Sequence, residues 1–274
     1  MQSADVAKHF ILLQLVRSHT GCASYILGSK TDKSCIIVDP LMDAERYQWT
    51  LEEHGFKVLA LIDTHTHADH LSGLRELSQF FPSAFLAVHE SAPVRFPCEK
   101  LRDGERLNDR LPDEFSKQEI EIKVIHTPGH ALDHVCLLIE PKDGSATLLS
   151  GDCLFIEDVG RTDLGRGDNH KMYDSLFNKL LKLDPRTEVY PAHIGAKHFL
   201  QSQEMKTTIG DQMETNPALQ VKNEQEFVKY MTEDWPPKPE YYQDFVRVNL
   251  GQMPLAEAQE RIIRENKSKM EQKT

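Results

Sequence analysis

The chain lacks the runs and clusters that mark several protein classes. In 274 residues no apolar stretch approaches the ~20 residues that span a bilayer, and the opening MQSADVAKHF has no basic region followed by an apolar one. There are only five cysteines (Cys22, Cys35, Cys98, Cys136 and Cys153). They are odd in number and scattered, with no CxxC pair, which argues against a disulfide framework and a cysteine zinc cage. Basic residues are in the minority: 32 Lys and Arg against 43 Asp and Glu leave a net charge of −11. That balance argues against binding nucleic acid through its phosphates. With 14 Gly and 14 Pro there is no collagen-like excess, and no internal repeat or low-complexity tract is present. A chain of this length that is 39% hydrophobic buries roughly three quarters of its unfolded surface without a staple. The expectation is a cytoplasmic globular protein with neither a membrane nor a nucleic-acid partner. Histidine is what stands out: there are 13, and the functional reading turns on where they fall.

The first stretch alternates as short strands do, over Phe10 to Val16, Ala23 to Leu27 and Cys35 to Asp39, with turn signals at Gly28-Ser29 and Asp39-Pro40. Helical spacing follows from Ala44 to His54, with Gly55 where a C-cap belongs. The run Val58 to Ile62 is too short for a helix and reads as a buried strand ending at Asp63. A histidine-rich turn then leads into a helix over Leu71 to Phe81. Further strands are expected at Ala84 to Val88, Glu119 to Ile125, Val135 to Ile139, Ala146 to Ser150 and Thr187 to Tyr190, with a helix at Lys171 to Leu183. After Phe199 the character changes. Helices over Leu200 to Met213, Glu224 to Met231 and Leu255 to Asn266 flank the loop Trp235-Pro-Pro-Lys-Pro239. The division expected is therefore a core over 1–199 and a helical extension over 200–274 packed on it.

Four short motifs at strand ends carry ligand-type side chains, and strand-end loops are where α/β proteins place their sites. The strongest is Thr64-His65-Thr66-His67-Ala68-Asp69-His70. Residues two apart in an extended turn can converge on one ion, while Asp69 and His70 open the next helix and reach a second position. In His126-Thr-Pro-Gly-His130 the Pro-Gly turn directs His130 back over the site, whereas His126 and His134 read as structural. Ser150-Gly-Asp152 places a carboxylate after a glycine that allows close backbone approach, and Tyr190-Pro-Ala-His193 adds a last imidazole. The order along the chain is HxHxDH, His, Asp, His.

That ordered set resembles the metallo-β-lactamase superfamily, from about Phe10 to Phe199. The resemblance implies an α/β fold, the αβ/βα four-layer sandwich, with a metal site at the edge between its sheets. Gly21-Cys-Ala-Ser-Tyr25, Val38-Asp-Pro40, Thr64 to Gly73, Gly151-Asp-Cys-Leu-Phe155 and Gly160-Arg-Thr-Asp163 narrow it. They are similar to the persulfide dioxygenase branch, also called sulfur dioxygenases. Asn216-Pro217, Glu226 to Met231 and Lys238-Pro239 resemble that branch's C-terminal segment. Glyoxalase II relatives share Gly160-Arg161 but typically continue with aromatic residues.

Two metal arrangements use the same seven residues. A binuclear zinc hydrolase of a thioester or lactone would hold one ion on His65, His67 and His130 and another on Asp69, His70 and His193, with Asp152 as bridge. A mononuclear oxygenase would hold one Fe(II) on His65, His130 and Asp152, two His and one carboxylate. The resemblance implies iron, with His67, Asp69, His70 and His193 orienting the ligands, and Asp69, His70 and Arg161 as candidate catalytic residues. Arg161 is expected to pair with Asp163 or another carboxylate near the site and lock the loop after Asp152, the alternative being that it faces an anionic substrate. The implied substrates are a low-molecular-weight thiol persulfide and O2. Ile194-Gly195 and Ala218 depart from the Asp-Tyr and Arg of glutathione-using members, so another thiol, or a sulfurtransferase (rhodanese) partner, fits the sequence. A homodimer is the family-level expectation.

Overall fold

Four antiparallel strands open the chain: β1 (Gln2–Ala7), β2 (Phe10–Val16), β3 (Ala23–Ser29) and β4 (Ser34–Val38). In the computed structural model they continue into parallel strands β5 (Lys57–Ile62), β6 (Phe85–His89) and β7 (Glu99–Leu101), giving a seven-stranded sheet in chain order. The structure describes residues 1–116, 119–195, 198, 205–233, 235 and 237–271. β1 precedes the first strand expected from the sequence. At the sheet edge only Val6 of its six residues is buried, so they carry no buried alternation, and its partner β2 sets its register, Gln2 opposite Gln14.

A second, five-stranded sheet holds β8 (Ile120–His126), β9 (Val135–Pro141), β10 (Thr147–Gly151), β11 (Glu188–Pro191) and β12 (Thr207–Thr208), in the order β12-β11-β10-β9-β8. The two sheets face each other through one apolar cluster, in which Phe10, Leu12, Tyr25, Ile36 and Ile62 of the first meet Ile122, Val124, Leu137 and Leu149 of the second. The outer faces are covered as well. Leu13, Ile26 and Ile37 pack against Tyr47 and Leu51 of α1 (Ala44–His54) and Leu74 and Leu77 of α2 (Leu74–Phe80). A short α3 (Asp113–Ser116) precedes β8. Leu138, Leu148 and Val189 pack against Met172 of α4 (Asn169–Tyr173), Ile209 of α5 (Ile209–Thr215) and Phe227 of α6 (Glu224–Tyr230). Burial on both faces is why the central strands read as nearly continuous apolar runs. The layers are those of the expected αβ/βα sandwich.

Several helices differ from the sequence expectation. Ser72 and Gly73 hold the chain out of helix until Leu74, so Asp69 and His70 lie in the loop before α2 and do not open it. The helix expected at Lys171 starts at Asn169 because the Asp168 carboxylate accepts from the His170 and Lys171 N–H groups. It then widens over Asp174–Lys179 and tightens over Leu180–Lys182. Of the helix expected over Leu200 to Met213, residues 200–204 lie outside the described residues. Thr207–Thr208 are strand, and helix begins only at Ile209, where the Thr208 hydroxyl caps it. After the Pro-rich loop stands α7 (Tyr242–Asn249), absent from the sequence reading, followed by α8 (Leu255–Glu271). Among the described residues no helix is long and apolar enough to cross a membrane.

Candidate metal centre

All four ligand-bearing motifs lie at strand ends on one edge of the sandwich. β5 ends at Ile62 and delivers the loop carrying His65, His67, Asp69 and His70; the β8–β9 turn delivers His130, the end of β10 Asp152, and the end of β11 His193. A bridge between the sheets brings the last of these in. Cys22 pairs antiparallel with His193, Ala23 N–H donates to Ala192 O at 2.7 Å and Ile194 N–H to Gly21 O at 2.9 Å. The approach needs glycine: Gly21 has φ +80°, and a Cβ there would stand 2.2 Å from Ile194 O.

His65, His130 and Asp152 form one buried cluster. Asp152 Oδ2 is 3.9 Å from His65 Nε2 and 3.8 Å from His130 Nε2. Each member is oriented from behind. The Thr64 hydroxyl lies 2.9 Å from both Asp39 oxygens and 3.0 Å from His65 Nδ1. With that hydroxyl donating to the carboxylate, His65 Nδ1–H donates to Thr64 Oγ1, and the Nε2 lone pair is left on the inner side. His130 Nδ1–H donates to Arg161 O at 2.6 Å, which leaves its Nε2 in the same state. The Asp152 N–H donates to His134 Nε2 at 2.9 Å, and His134 Nδ1 is held 2.8 Å from the Thr127 hydroxyl. Burial, reinforced by the neighbouring His67, His130 and His134, holds His65 well below the usual imidazole range, so it is neutral and its lone pair is free. His65 Nε2 is buried without a hydrogen-bond partner among the described residues. An orphaned nitrogen of this kind facing an imidazole and a carboxylate is what a metal ion would satisfy, and this donor set fits one.

The other four residues surround that cluster and contact different partners. His67 Nε2 is 3.2 Å from Asp39 Oδ1 and 3.8 Å from Asp63 Oδ1. Burial and the nearby His70 push His67 down, but Asp39 and Asp63 outweigh them and bring it up to about 9. Burial pushes Asp63 up to about 6, though His67 opposes it. His70 Nδ1 is 2.9 Å from Asp69 Oδ1, and His193 Nδ1 is 3.7 Å from Asp69 Oδ2. Cys22 Sγ donates to Asp69 Oδ2 at 3.4 Å. Burial pushes the Cys22 thiol up, but contacts from His193 and His70 outweigh it and bring it down to about 7. Cys22, Asp69 and His193 therefore form a second ligand-type cluster that shares Asp69 with His67 and His70.

Arg161 lies beside the centre. Its guanidinium donates to both Asp163 oxygens, at 2.7 and 3.0 Å, and to Pro237 O at 3.3 Å, and it sits 5.6 Å from the Trp235 ring centroid. His126 stacks on His89 with ring centroids 3.9 Å apart, away from the clusters. Buried Cys153, next to Asp152, packs 3.9 Å from Met172 Sδ.

Sequence reasoning passed over Asp39, Asp63, Cys22 and Asn249 as parts of this centre. Asn249 of α7 donates through Nδ2 to His67 O and His70 O, both at 2.9 Å, and accepts from Ser72 N–H at 3.0 Å. The one available signal was Val38-Asp-Pro40, an acidic residue at a strand end beside proline; Asp39 takes φ +49° there.

Residues 18–193 match the family model described as Metallo-beta-lactamase superfamily. With two facing sheets covered by helices and a His/Asp centre at their edge, the chain belongs to that superfamily. Within it, the chain is 27% identical over 243 residues to the persulfide dioxygenase ETHE1, mitochondrial, of Bos taurus, covering 88% of this chain and 87% of the relative. It is 31% identical over 204 residues to the hydroxyacylglutathione hydrolase GloC of Haemophilus influenzae, covering 70% of this chain and 90% of the relative. The crystal structure of ETHE1 from Myxococcus xanthus superposes with a TM-score of 0.76 at 24% identity, covering 88% of this chain and 99% of that one. The likeness to the Bos taurus relative supports the persulfide dioxygenase branch that the sequence resembles. The superfamily and these relatives support an enzyme that uses metal and acts on a small molecule.

Proposed function

We propose that the chain is a persulfide dioxygenase, with one Fe(II) held by His65, His130 and Asp152. The observation that carries this reading is the unequal placement of the imidazoles. His65 and His130 both face Asp152 Oδ2 in one buried cluster, while His67 falls in other clusters, with Asp39 and Asp63 and with Asp69 and His70. Two imidazoles and one carboxylate are the donor set of non-haem iron oxygenases. The Gly160-Arg-Thr-Asp163 element and the likeness to ETHE1 over 88% of the chain support the same reading. Iron held by that set would supply the redox chemistry for oxidising sulfur with O2.

The net reaction is RSSH + O2 + H2O → RSH + SO3²⁻ + 2H⁺: the terminal sulfur is oxidised, O2 is reduced, and water completes sulfite as the S–S bond breaks. The chain's residues position this chemistry. Thr64, Arg161 O and His134 fix the two rings and the carboxylate, so the donors need no rearrangement. Asp69, hydrogen-bonded to His70 and facing His193, keeps a half-buried carboxylate beside the site. Arg161, tied to Asp163, holds the loop behind His130.

Anaerobically purified protein loaded with Fe(II) is expected to consume O2 and release sulfite when a persulfide is added. Two zinc ions per chain, no oxygen uptake and turnover of a thioester would overturn the reading. That outcome is the binuclear hydrolase, which the GloC likeness and the Cys22-Asp69-His193 cluster favour.

A further inference from the structure

Beside His130 a cavity of about 330 Å³ opens between three segments that come from distant parts of the chain. Its volume lies at the lower end of small-molecule sites. One wall is the metal loop, through Thr66 and Ala68; a second is His130-Ala131; the third is the Leu164-Gly165-Arg166 turn facing α7. A molecule filling it therefore touches a residue of the proposed iron site at one end.

The lining divides by chemistry. Ala68, Ala131, Leu164 and Val246 give apolar surface, and Arg166 and Arg247 supply guanidinium groups. Arg166 is already steered: its Nη1 stands 3.7 Å from Asp133 Oδ1, too far for a hydrogen bond, and both atoms are buried without a partner among the described residues. The other Asp133 oxygen accepts from the Thr66 hydroxyl. Arg247 is exposed and has no acidic partner among the described residues. Its α7 neighbour Asp244 is taken by Arg261 at 3.1 Å. In a chain of net charge −11, a lining with two guanidinium groups and one carboxylate reverses the local sign. Ile194-Gly195 after His193 offer neither cation nor hydroxyl.

The geometry points to this cavity as the carrier pocket for a carboxylate-bearing small thiol. The carboxylate is received by Arg247 and Arg166, the methylene body lies along Ala68, Ala131, Leu164 and Val246, and the sulfur end reaches His130. This rests on the persulfide reading for what happens to the sulfur, but not for what is bound. Guanidinium groups suit a carboxylate because their paired N–H donors match its two oxygens.

The test has a binding arm and a kinetic arm. Full-length protein is titrated calorimetrically with glutathione and its diethyl ester, then with 3-mercaptopropionate and its amide. In each pair the acid is expected to bind about tenfold tighter, the scale of one charge-assisted hydrogen bond at a partly exposed site, and added salt should erode only that advantage. Arg247→Ala is expected to remove most of the advantage while leaving the melting temperature unchanged; Arg166→Met should remove the rest. Equal binding within each pair, or an advantage that survives both substitutions, overturns the pocket. In the kinetic arm, Arg247→Ala should raise KM for the acid persulfide about tenfold at constant kcat and leave the neutral persulfide unaffected. Oxygen uptake with the same KM for both persulfides overturns the pocket and leaves the dioxygenase reading standing. Charge-selective binding without oxygen uptake supports the pocket and overturns the dioxygenase.

Discussion

The Asp152 N–H donates to His134 Nε2 at 2.9 Å, so a histidine outside every ligand cluster fixes the backbone of the carboxylate that two other histidines face. Both ring nitrogens of His134 are used, the second by the Thr127 hydroxyl at 2.8 Å. Replacing the ring leaves a buried N–H unmade, which costs about 1–3 kcal/mol, and frees Asp152 to drift. His134→Ala is expected to lower the melting temperature and weaken metal retention by about 10–100-fold, as loss of an orienting partner does. Retention against a graded chelator series measures this; unchanged retention would show that Asp152 is fixed by other contacts.

Gly151 stands between those two residues in the left-handed region, at φ +53°, where an added Cβ would lie 2.4 Å from His134 Nε2 and 2.8 Å from Thr64 Oγ1. Gly165 provides the control: its φ is +72°, but nothing lies within 4 Å of its Cβ position. Gly165→Ala should therefore cost only the backbone penalty of about 1–2 kcal/mol. Gly151→Ala pays the same and must also displace His134 or Thr64, so it should destabilise by clearly more and lose metal, where Gly165→Ala keeps it. Equal melting temperatures for the two variants would contradict the steric argument.

Asn249 ties α7 to the metal loop through two donated bonds, to His67 O and His70 O, and one accepted from Ser72 N–H. Asn249→Ala is expected to destabilise by about 1–3 kcal/mol. It should also raise hydrogen exchange at the Ser72 amide, whose acceptor is removed, with little change at Gly160, far along the chain on another loop. Protection at Ser72 that survives the substitution would show that the helix does not hold the loop.

The sequence makes the ligand motifs legible because four ligand-type side chains fall within Thr64 to His70 and the others each follow an apolar run, so local spacing and strand ends suffice. Asp39 and Cys22 are not legible that way. Asp39 reaches His67 only because β4 and β5 lie side by side in parallel, and Cys22 meets His193 only through a bridge between the two sheets. Asn249 comes from a helix the sequence reading missed, in a segment where Tyr241 takes φ +64° and no capping side chain marks the start. The edge strand β1 is set by its partner's register and not by any alternation of its own. What pairing and packing bring together over long separations leaves no spacing to read.

Arg161 and Asp152 can be separated by metal content. Arg161 contacts His130 through its backbone carbonyl at 2.6 Å, and its side chain instead grips Asp163 in a two-pronged pair and leans on the C-terminal segment at Pro237 and Trp235. Arg161 holds the Asp163 carboxyl below the usual range, but the pair is partly solvent-exposed, so its worth is about 1 kcal/mol or less. Arg161→Ala keeps the carbonyl and should keep most of the metal, with a modest drop in melting temperature that Asp163→Ala reproduces and the double variant does not deepen. Asp152→Ala removes the carboxylate that both His65 Nε2 and His130 Nε2 face and should lose metal and activity together. Elemental analysis of the variants, purified side by side under anaerobic conditions, decides the matter: full metal in Asp152→Ala would remove that residue from the ligand set, and loss of metal in Arg161→Ala would place its side chain in the centre's support.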